Sequence, residues 1–328
     1  MKVSVAVPTY NEESNVGYLL DTLRRQETFL AQIVEIVVVA SGCTDRTIEV
    51  VKEHQRKPGI PIRLIVEPVR CGKVAAINTY FRHGNAKVDA ICVCSADVLV
   101  APNAIELLVA PLHRHPDVGM SGARPIPTNG KGTFLGEATR FLWNMHHRVA
   151  LEAPKLGEMV MVRAGIVHDL PAESAVDEAS LEQLVSADGY RLVYVPDAIV
   201  HNHGPETLRE FVRQRRRIAA GHYWLRHVSG YAVATMDLSR IVRLTLSELS
   251  VRSPRLLLYS LGTIGLEAAS RALGYYDFRT HNRHVVWKVS ETTKAVMTDE
   301  IQPLYQTEER EAEDGVTPRR AAGTQARK

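Results

Sequence analysis

The sequence predicts an α/β protein built on a parallel sheet with helices on both faces. Three observations predict it: short β-rich runs alternate with helical periodicity, the strands are apolar along most of their length, and each strand ends in a polar loop. The first run, residues 3–7, closes on Pro8-Thr9-Tyr10-Asn11-Glu12. Val16, Leu19, Leu20 and Leu23 then recur at helical spacing behind capping residues between Asn11 and Ser14. Residues 33–39 form the second strand, whose almost wholly apolar character suits a strand covered on both faces. It breaks at Ala40-Ser41-Gly42-Cys43-Thr44-Asp45 before a helix from Arg46 to about Gln55. A third strand, 62–66, leads to Arg70-Cys71-Gly72-Lys73 and a helix carrying Ala75, Ala76, Ile77 and Asn78. Residues 91–100 are a fourth apolar run, read as a strand bearing one bare carboxylate, Asp97, ahead of a turn at Pro102-Asn103. A lone acid at the carboxyl end of a buried parallel strand sits where open α/β sheets place ligands, and its burial is costly without a partner or a cation. The plainer alternative is an Asp that caps the next turn.

The bulk composition narrows the class. The chain has 328 residues, 45% of them hydrophobic and 23% charged, as in an ordinary soluble globular protein. That length holds one large domain, or one domain with a helical appendage. A net charge of +3 is too small to imply a nucleic-acid partner, and none is expected. Cys43, Cys71, Cys92 and Cys94 lack zinc-site spacing. Cys92 and Cys94 share one strand face and read as structural thiols of a reducing cytosol. Met1-Lys2 leads straight into a strand, without a secretory pattern. No stretch reaches the roughly 18 apolar residues that span a bilayer; the nearest, 256–266, runs into Glu267 and Arg271. The expected location is the cytoplasm, with peripheral attachment at the inner face of the cell membrane as a refinement. No GxGxxG follows the first strand and no GxxxxGK[ST] occurs, which argues against dehydrogenases and P-loop kinases. Helix N-termini behind the polar loops still offer N–H groups to an anion.

Pro8-Thr9-Tyr10-Asn11-Glu12, Ser41-Gly42-Cys43-Thr44-Asp45, the run RCGKVAAIN from Arg70 to Asn78, and Ser95-Ala96-Asp97 stand in order at suitable spacing. Together they resemble the nucleotide-sugar half of inverting family 2 glycosyltransferases, of the cellulose-synthase-like or lipid-acceptor type. The resemblance covers about residues 1–225. It implies the GT-A fold, a mixed, mainly parallel sheet with helices on both faces, here followed by C-terminal amphipathic helices. It implies that Pro8, Thr9, Tyr10, Asn11 and Glu12, with Ser41, Gly42 and Asp45, hold the nucleotide base and ribose. Lys73 and Asn78 would shape the diphosphate side. Asp97, with Ser95 and Ala96 beside it, would bind Mn²⁺ or Mg²⁺ bridging the donor diphosphate, whose charge grows as it departs. Two positions depart from the family pattern: Ser95 stands for the first acid of DxD, and Ala40-Ser41 stands where an acid usually pairs with the base.

Further along, 103–113 reads as a helix, 118–123 as a strand, and Arg124-Pro125-Ile126-Pro127 as a stiff loop. Trp143, His146 and His147 suit an acceptor wall, an aromatic face with imidazole donors. The competing reading packs Phe141, Leu142 and Met145 inward and leaves the histidines half exposed. Gly157 to Arg163 looks like the family's strand leading towards the catalytic acid. Asp177-Glu178 precedes a helix carrying Leu181, Leu184 and Val185; acids there also complement the helix dipole. Matching the family on Leu181 makes Glu178 the general base and Asp177 its neighbour, in the inverse of the usual Glu-Asp order. The base takes the proton of an acceptor hydroxyl attacking the anomeric carbon opposite the leaving diphosphate, which inverts the anomer.

His201 and His203 follow the next strand, and His203 is a candidate metal ligand that compensates for the missing first Asp. Arg213 to His222 resembles the QxxRW element, with Gln214 and Arg217 in place and Ile218 where Trp is usual. Gln214 and Arg217 are assigned to the donor diphosphate or the acceptor, since guanidinium suits bidentate phosphate contacts. The alternatives are a solvated basic helix or one lying on an anionic membrane. After Tyr231, Leu238, Ile241, Val242 and Leu249 recur at helical spacing among Arg240, Arg243 and Arg252, and Ser253-Pro254 opens a second helix from Arg255 to about Leu273. A homodimer interface, a membrane surface, or packing back onto the catalytic part all suit such helices. Residues 281–294 read as a last docked segment. The expected division is a catalytic domain over 1–230 (donor half 1–100, acceptor half 101–230), a helical extension over 231–302, and a disordered tail over 303–328.

The function expected is a metal-dependent inverting transferase using a nucleoside-diphosphate sugar and an acceptor hydroxyl or phosphate, on a polyprenyl phosphate, another lipid or a glycan. Ser95 and Ala40 motivate the alternative, a catalytically degenerate nucleotide-sugar-binding scaffold. A sugar-1-phosphate nucleotidyltransferase is disfavoured, because Pro8-Thr9-Tyr10 stands where its Gly-rich basic loop belongs.

Overall fold

In the computed structural model, which describes residues 1–249 and 253–294, the first hundred residues alternate strands and helices. They run β1 (Lys2–Thr9), α1 (Val16–Arg24), β2 (Gln32–Ser41), α2 (Thr47–Gln55), β3 (Ile62–Glu67), α3 (Lys73–His83), β4 (Ala90–Cys94) and β5 (Val98–Val100). There follow α4 (Ala104–Arg114), β6 (Val118–Pro127), α5 (Phe134–Glu152), β7 (Met159–Arg163), α6 (Asp177–Ala187) and β8 (Arg191–Asn202). The helices α7 (Leu208–Ser229), α8 (Leu238–Glu248) and α9 (Pro254–Arg279) complete the elements used below. The strands form one sheet in the order β3-β2-β1-β4-β7-β6-β8-β5, in which β7 and β5 run antiparallel to the rest. This mixed, mainly parallel sheet is the expected fold class.

Alternate residues of each strand feed two cores, one per face. Val3, Val5, Val7, Cys92 and Cys94 pack with Leu19, Leu20, Val51 and Leu108 of α1, α2 and α4. Ala6, Val37, Val39 and Val93 pack instead with Ile77, Tyr80, Leu181 and Val185 of α3 and α6. The shared face of Cys92 and Cys94 is therefore the expected one, and both thiols are free and buried.

Two sequence expectations need correction. Residues 91–100 are not one strand: the chain breaks at Ser95-Ala96-Asp97, and β5 resumes at the far edge of the sheet, antiparallel to β8. The cause is that β1 and β7 already occupy both edges of β4, so the chain must cross to find a free one. Asp97 accordingly sits in a crossover. The stiff loop at Arg124-Pro125-Ile126-Pro127 is the end of β6, paired with β8 beyond a register shift after Gly122. Pro125 and Pro127 are tolerated because β7 pairs with β6 at Met120, Ser121 and Gly122, leaving that edge needing no donor further on.

The C-terminal helices pack back onto the sheet-bearing part. Glu267 of α9 takes a bidentate pair from Arg215 at 2.7 and 2.8 Å, and Arg271 at 2.8 Å. Asp277 takes Arg216 and, at 2.8 Å, His284. Leu244 of α8 packs on Met145 and Val149 of α5. Among the described residues no helix is long and apolar enough to cross a membrane. The described part of 231–302 thus belongs to the same compact unit as the sheet; the tail expected over 303–328 lies outside the described residues. Residues 281–294 dock as expected: Glu210 receives Glu291 N at 2.8 Å, and Lys294 pairs with Glu12.

Helix α6 is pinned by Glu182, fully buried, which accepts from Leu156 N at 2.6 Å, Lys155 Nζ at 3.2 Å and Tyr231 Oη at 3.1 Å. Truncation strands the Lys155 ammonium without a counter-ion. Glu182→Ala is therefore expected to lower the unfolding free energy in urea by about 3–5 kcal/mol. A loss below about 1 kcal/mol would contradict this account.

Candidate active site

The carboxyl ends of β1, β2 and β8 and the crossover after β4 open into a cavity of about 900 Å³, roofed by α5 to α9 and residues 284–293. Asp97 and Glu178 both line it, as do Pro8, Thr9, Tyr10, Glu12, Ser41, Lys73, Ser95, Ala96, Asp177, Trp143, His146, His203, Gln214 and Arg217. Five expected site residues do not, and each has another partner or place. Asn11, in the left-handed region with φ 51°, exchanges hydrogen bonds with Thr44. Asp45 accepts from Glu13 N and Thr47 N at 3.1 and 3.0 Å. Gly42, with φ 65°, abuts Arg70, whose backbone N would lie 2.5 Å from any Cβ added there. Asn78 donates to Leu170 O at 2.9 Å and accepts from Leu170 N at 2.8 Å. These four tie loops together behind the cavity wall. His147 turns to the Tyr194 hydroxyl at 2.9 Å.

At the centre stands Lys73, at the N-terminus of α3. Its Nζ lies 2.9 Å from Asp177 Oδ2, 2.9 Å from Glu178 Oε1 and 3.1 Å from Ser95 Oγ. Burial opposes its charge, but Asp177, Glu178 and Glu158 outweigh that and hold the amine protonated. Burial and the Glu178 charge push Asp177 up to about 6. Burial acts on Glu178 too, yet Lys73 holds that carboxyl well below the usual range. The Glu178 side chain keeps 21% of its surface exposed against 5% for Asp177, so it is the more accessible of the pair.

A second cluster surrounds Asp97. Burial and the Asp97 charge push Glu12 up to about 7, against the pull of Lys294. Glu158, which was not singled out from the sequence, is raised to about 7 by burial and by the charges of Asp97 and Glu178. Its position follows from register: Cys94 faces Met159, so Glu158 lies beside Ser95, whose N–H donates to Glu158 O at 2.9 Å. The available signal was an acid directly before an apolar strand, Gly157-Glu158 ahead of Met159. Glu158 Oε1 accepts from Asn202 Nδ2 at 3.2 Å, while Asn202 Oδ1 is buried without a hydrogen-bond partner. His203 stands nearby, with Nδ1 2.8 Å from Thr128 Oγ1 and Nε2 3.0 Å from Glu206. His201 lies within β8 opposite Leu99 and does not line the cavity.

On the remaining walls, Arg70 stacks over the Tyr10 ring at 3.8 Å and donates to Trp287 O at 2.7 Å. Arg217 covers the Trp287 ring at 4.0 Å and donates to Ala175 O at 2.7 Å. Trp143 meets His146 edge to face at 5.1 Å. Burial, then Lys155 and Arg215, push His146 down to about 3, so its imidazole is neutral at pH 7. Sequence reasoning had not placed Arg70, Trp287 or Lys294 here; the last two reach the site only through the return of the chain after α9.

Glu158 makes the stability of the fold depend on pH. The folded protein keeps its proton up to about 7 against 4.5 in the open chain, so that stability is complete below about pH 4.5 and lost as pH rises through 7. Glu158→Gln removes this dependence. Between pH 5 and 8, the wild type is expected to lose on the order of 2 kcal/mol of unfolding free energy relative to the variant. Parallel pH profiles would contradict it.

The model of glycosyl transferase family 2 matches residues 4–163, and that of glycosyl transferase family group 2 matches residues 90–276. A probable glycosyltransferase of Bacillus subtilis, YdaM, is 27% identical over 244 residues, 68% of this chain and 56% of that protein. The chain thus spans little more than half of that relative. An undecaprenyl-phosphate 4-deoxy-4-formamido-L-arabinose transferase of Edwardsiella ictaluri is 31% identical over 107 residues, 33% of this chain and 32% of that protein. A mannosyltransferase of Pyrobaculum calidifontis, solved with GDP-Man and Mn²⁺, shares the fold at TM-score 0.55 and 22% identity, over 94% of this chain and 86% of that one. The family group profile alone covers more than half of the chain, and the chain belongs to glycosyltransferase family 2.

Proposed function

We propose that this chain moves a sugar from a nucleoside diphosphate to an acceptor hydroxyl or phosphate, in one inverting displacement assisted by Mn²⁺ or Mg²⁺. The observation that carries the reading is that Asp97 and Glu178 line one cavity, with Glu158 feeling the charge of both. A departing diphosphate gathers negative charge while the attacking oxygen must lose a proton, and one cleft offers groups for both needs.

The residues around Asp97 fit a cation shared with the donor. Asp97, Glu158 and the unpartnered Oδ1 of Asn202 are hard oxygen donors of the kind these ions take. Among the described residues no three His, Cys, Asp or Glu side chains group as a metal site, so the ion would need phosphate oxygens of the donor to complete its shell. His203 borders that group. The cation would neutralise the leaving diphosphate. The protein does the rest: Tyr10, Thr9 and Ser41 wall the base and ribose, and Arg217 and Gln214 border the diphosphate. Trp143 and His146 border the acceptor, and Glu178, kept ionised by Lys73, takes the acceptor's proton. The undecaprenyl-phosphate relative, and Arg-bearing amphipathic α8, support a lipid-linked acceptor at the inner face of a membrane.

The second reading is a degenerate nucleotide-sugar-binding scaffold, favoured by Ser95 and Ala40. Glu158 beside Ser95 weighs against it. Turnover of nucleotide-sugar donors with Mn²⁺ separates the two. Asp97→Ala is expected to abolish turnover, and Glu178→Gln to lower it by roughly 10²–10⁴-fold at unchanged nucleotide affinity. Nucleotide affinity without turnover in the wild type would favour the scaffold, and full activity of Glu178→Gln would move the base to Asp177.

A further inference from the structure

The outer face of α9 carries an apolar seam. At 3.6 residues per turn, Leu258, Leu261, Gly265, Ala269, Ala272 and Tyr276 fall within about 40° of one line along the helix. All of them are exposed, and Leu258, Leu261 and Tyr276 keep 66%, 51% and 63% of their surface free. No charged side chain stands on that line between Leu258 and Tyr276. The opposite face, with Thr263, Ser270, Gly274 and Asp277, is the one buried in the chain.

The glycines of α9 show what kind of neighbour the seam suits. A glycine inside a helix weakens it, and α9 holds Gly262, Gly265 and Gly274. Two of these have a reason within the chain. A Cβ at Gly262 would meet the Phe134 ring at 3.0 Å, and one at Gly274 would lie 2.6 Å from both Ala219 Cβ and Arg216 O. At Gly265 nothing lies within 4 Å, and its φ is not positive. The chain itself therefore gives no reason for glycine there. With Ala269 and Ala272 beside it, Gly265 leaves room for a second helix backbone to approach closely. A lipid surface gains little from such residues, because buried apolar area is what holds a helix in a membrane interface.

The seam is also its own complement. Reversed about position 267, Leu258 falls opposite Tyr276, Leu261 opposite Leu273, and Gly265 opposite Ala269. Two antiparallel copies thus join small residues at the middle and large ones at both ends, the self-matching that a twofold axis requires. Arg255, at one end, turns aside to Gly132 O at 2.5 Å. The large side chains expose on the order of 500 Å² per copy, so a pair reaches the roughly 1,000 Å² that a specific interface buries in total.

We propose that the outer face of α9 is an interface between two copies of this chain, paired antiparallel about a twofold axis beside Gly265 and Ala269. The inference goes beyond the transferase reading and does not depend on it.

Sedimentation velocity of the full chain from about 1 to 100 μM tests it. The wild type is expected to pass from monomer to dimer within that range. Gly265→Leu fills the close approach and Ala269→Glu places a charge at its centre. Each is expected to raise the dimer dissociation constant at least about tenfold, with the thermal midpoint of the monomer no lower than that of the wild type. Orientation is read by mild oxidation. Leu258→Cys combined with Tyr276→Cys is expected to cross-link dimers well beyond the wild-type level, and Leu258→Cys alone is not, since the two positions lie about 27 Å apart along one helix. A wild type that stays monomeric throughout, a dimer that both seam variants leave intact, or cross-linking by Leu258→Cys alone would overturn the proposal. So would a monomer that binds phosphatidylglycerol vesicles and loses them on Leu258→Glu, since the face would then belong to a membrane.

Discussion

One ammonium group holds the two halves of this site in register. Lys73 opens α3 on the donor side, yet its Nζ reaches Asp177 and Glu178 at the start of α6, and Ser95 at the crossover after β4. Two adjacent carboxylates facing a cavity repel each other, and without a cation one of them would take up a proton. With Lys73 between them, Glu178 stays ionised in a place where burial alone would neutralise it. A motif lysine that reads as a phosphate ligand is therefore, in the protein without ligand, the counter-ion of the candidate base.

The region around Asp97 shows the complementary condition, negative charge without enough positive partners. Glu12 and Glu158 both rise to about 7 in part because Asp97 is near, although Lys294 and a hydrogen bond from Asn15 pull Glu12 down. Such a region favours a divalent cation energetically, since the ion relieves repulsion already present in the folded chain. Glu158 also bears on the absent first acid of the metal motif. Antiparallel pairing of β7 with β4 sets a carboxylate beside Ser95 from a different strand.

Much of the fold was legible because it is local. Periodicity and the polar loops located the strand–helix alternation and the residues at the strand ends, and most of these do line the cavity. What was not legible depends on long-range pairing. An apolar run such as 91–100 does not say which sheet edges are free, so the crossover at Asp97 read as one strand. Glu158 depends on the register of β7 against β4, which single-sequence patterning does not reveal. Arg215 and Arg216 have no role legible in the sequence because their acids, Glu267 and Asp277, lie 52 and 61 residues further on. Asn78, Asn11 and Asp45 sit in binding motifs but spend their hydrogen bonds on loop backbone and neighbouring side chains. Short polar residues in such loops serve architecture and ligand alike, and the pattern alone does not separate the two.

The pH dependence of donor turnover in Lys73→Met tests most directly whether Lys73 keeps the proposed base, Glu178, ionised. Removing the cation raises the pKa of the carboxylate pair, so the acid limb of the rate profile is expected to move up by about one pH unit or more, with nucleotide still bound. An acid limb that stays where the wild type has it would show that Lys73 does not govern the base.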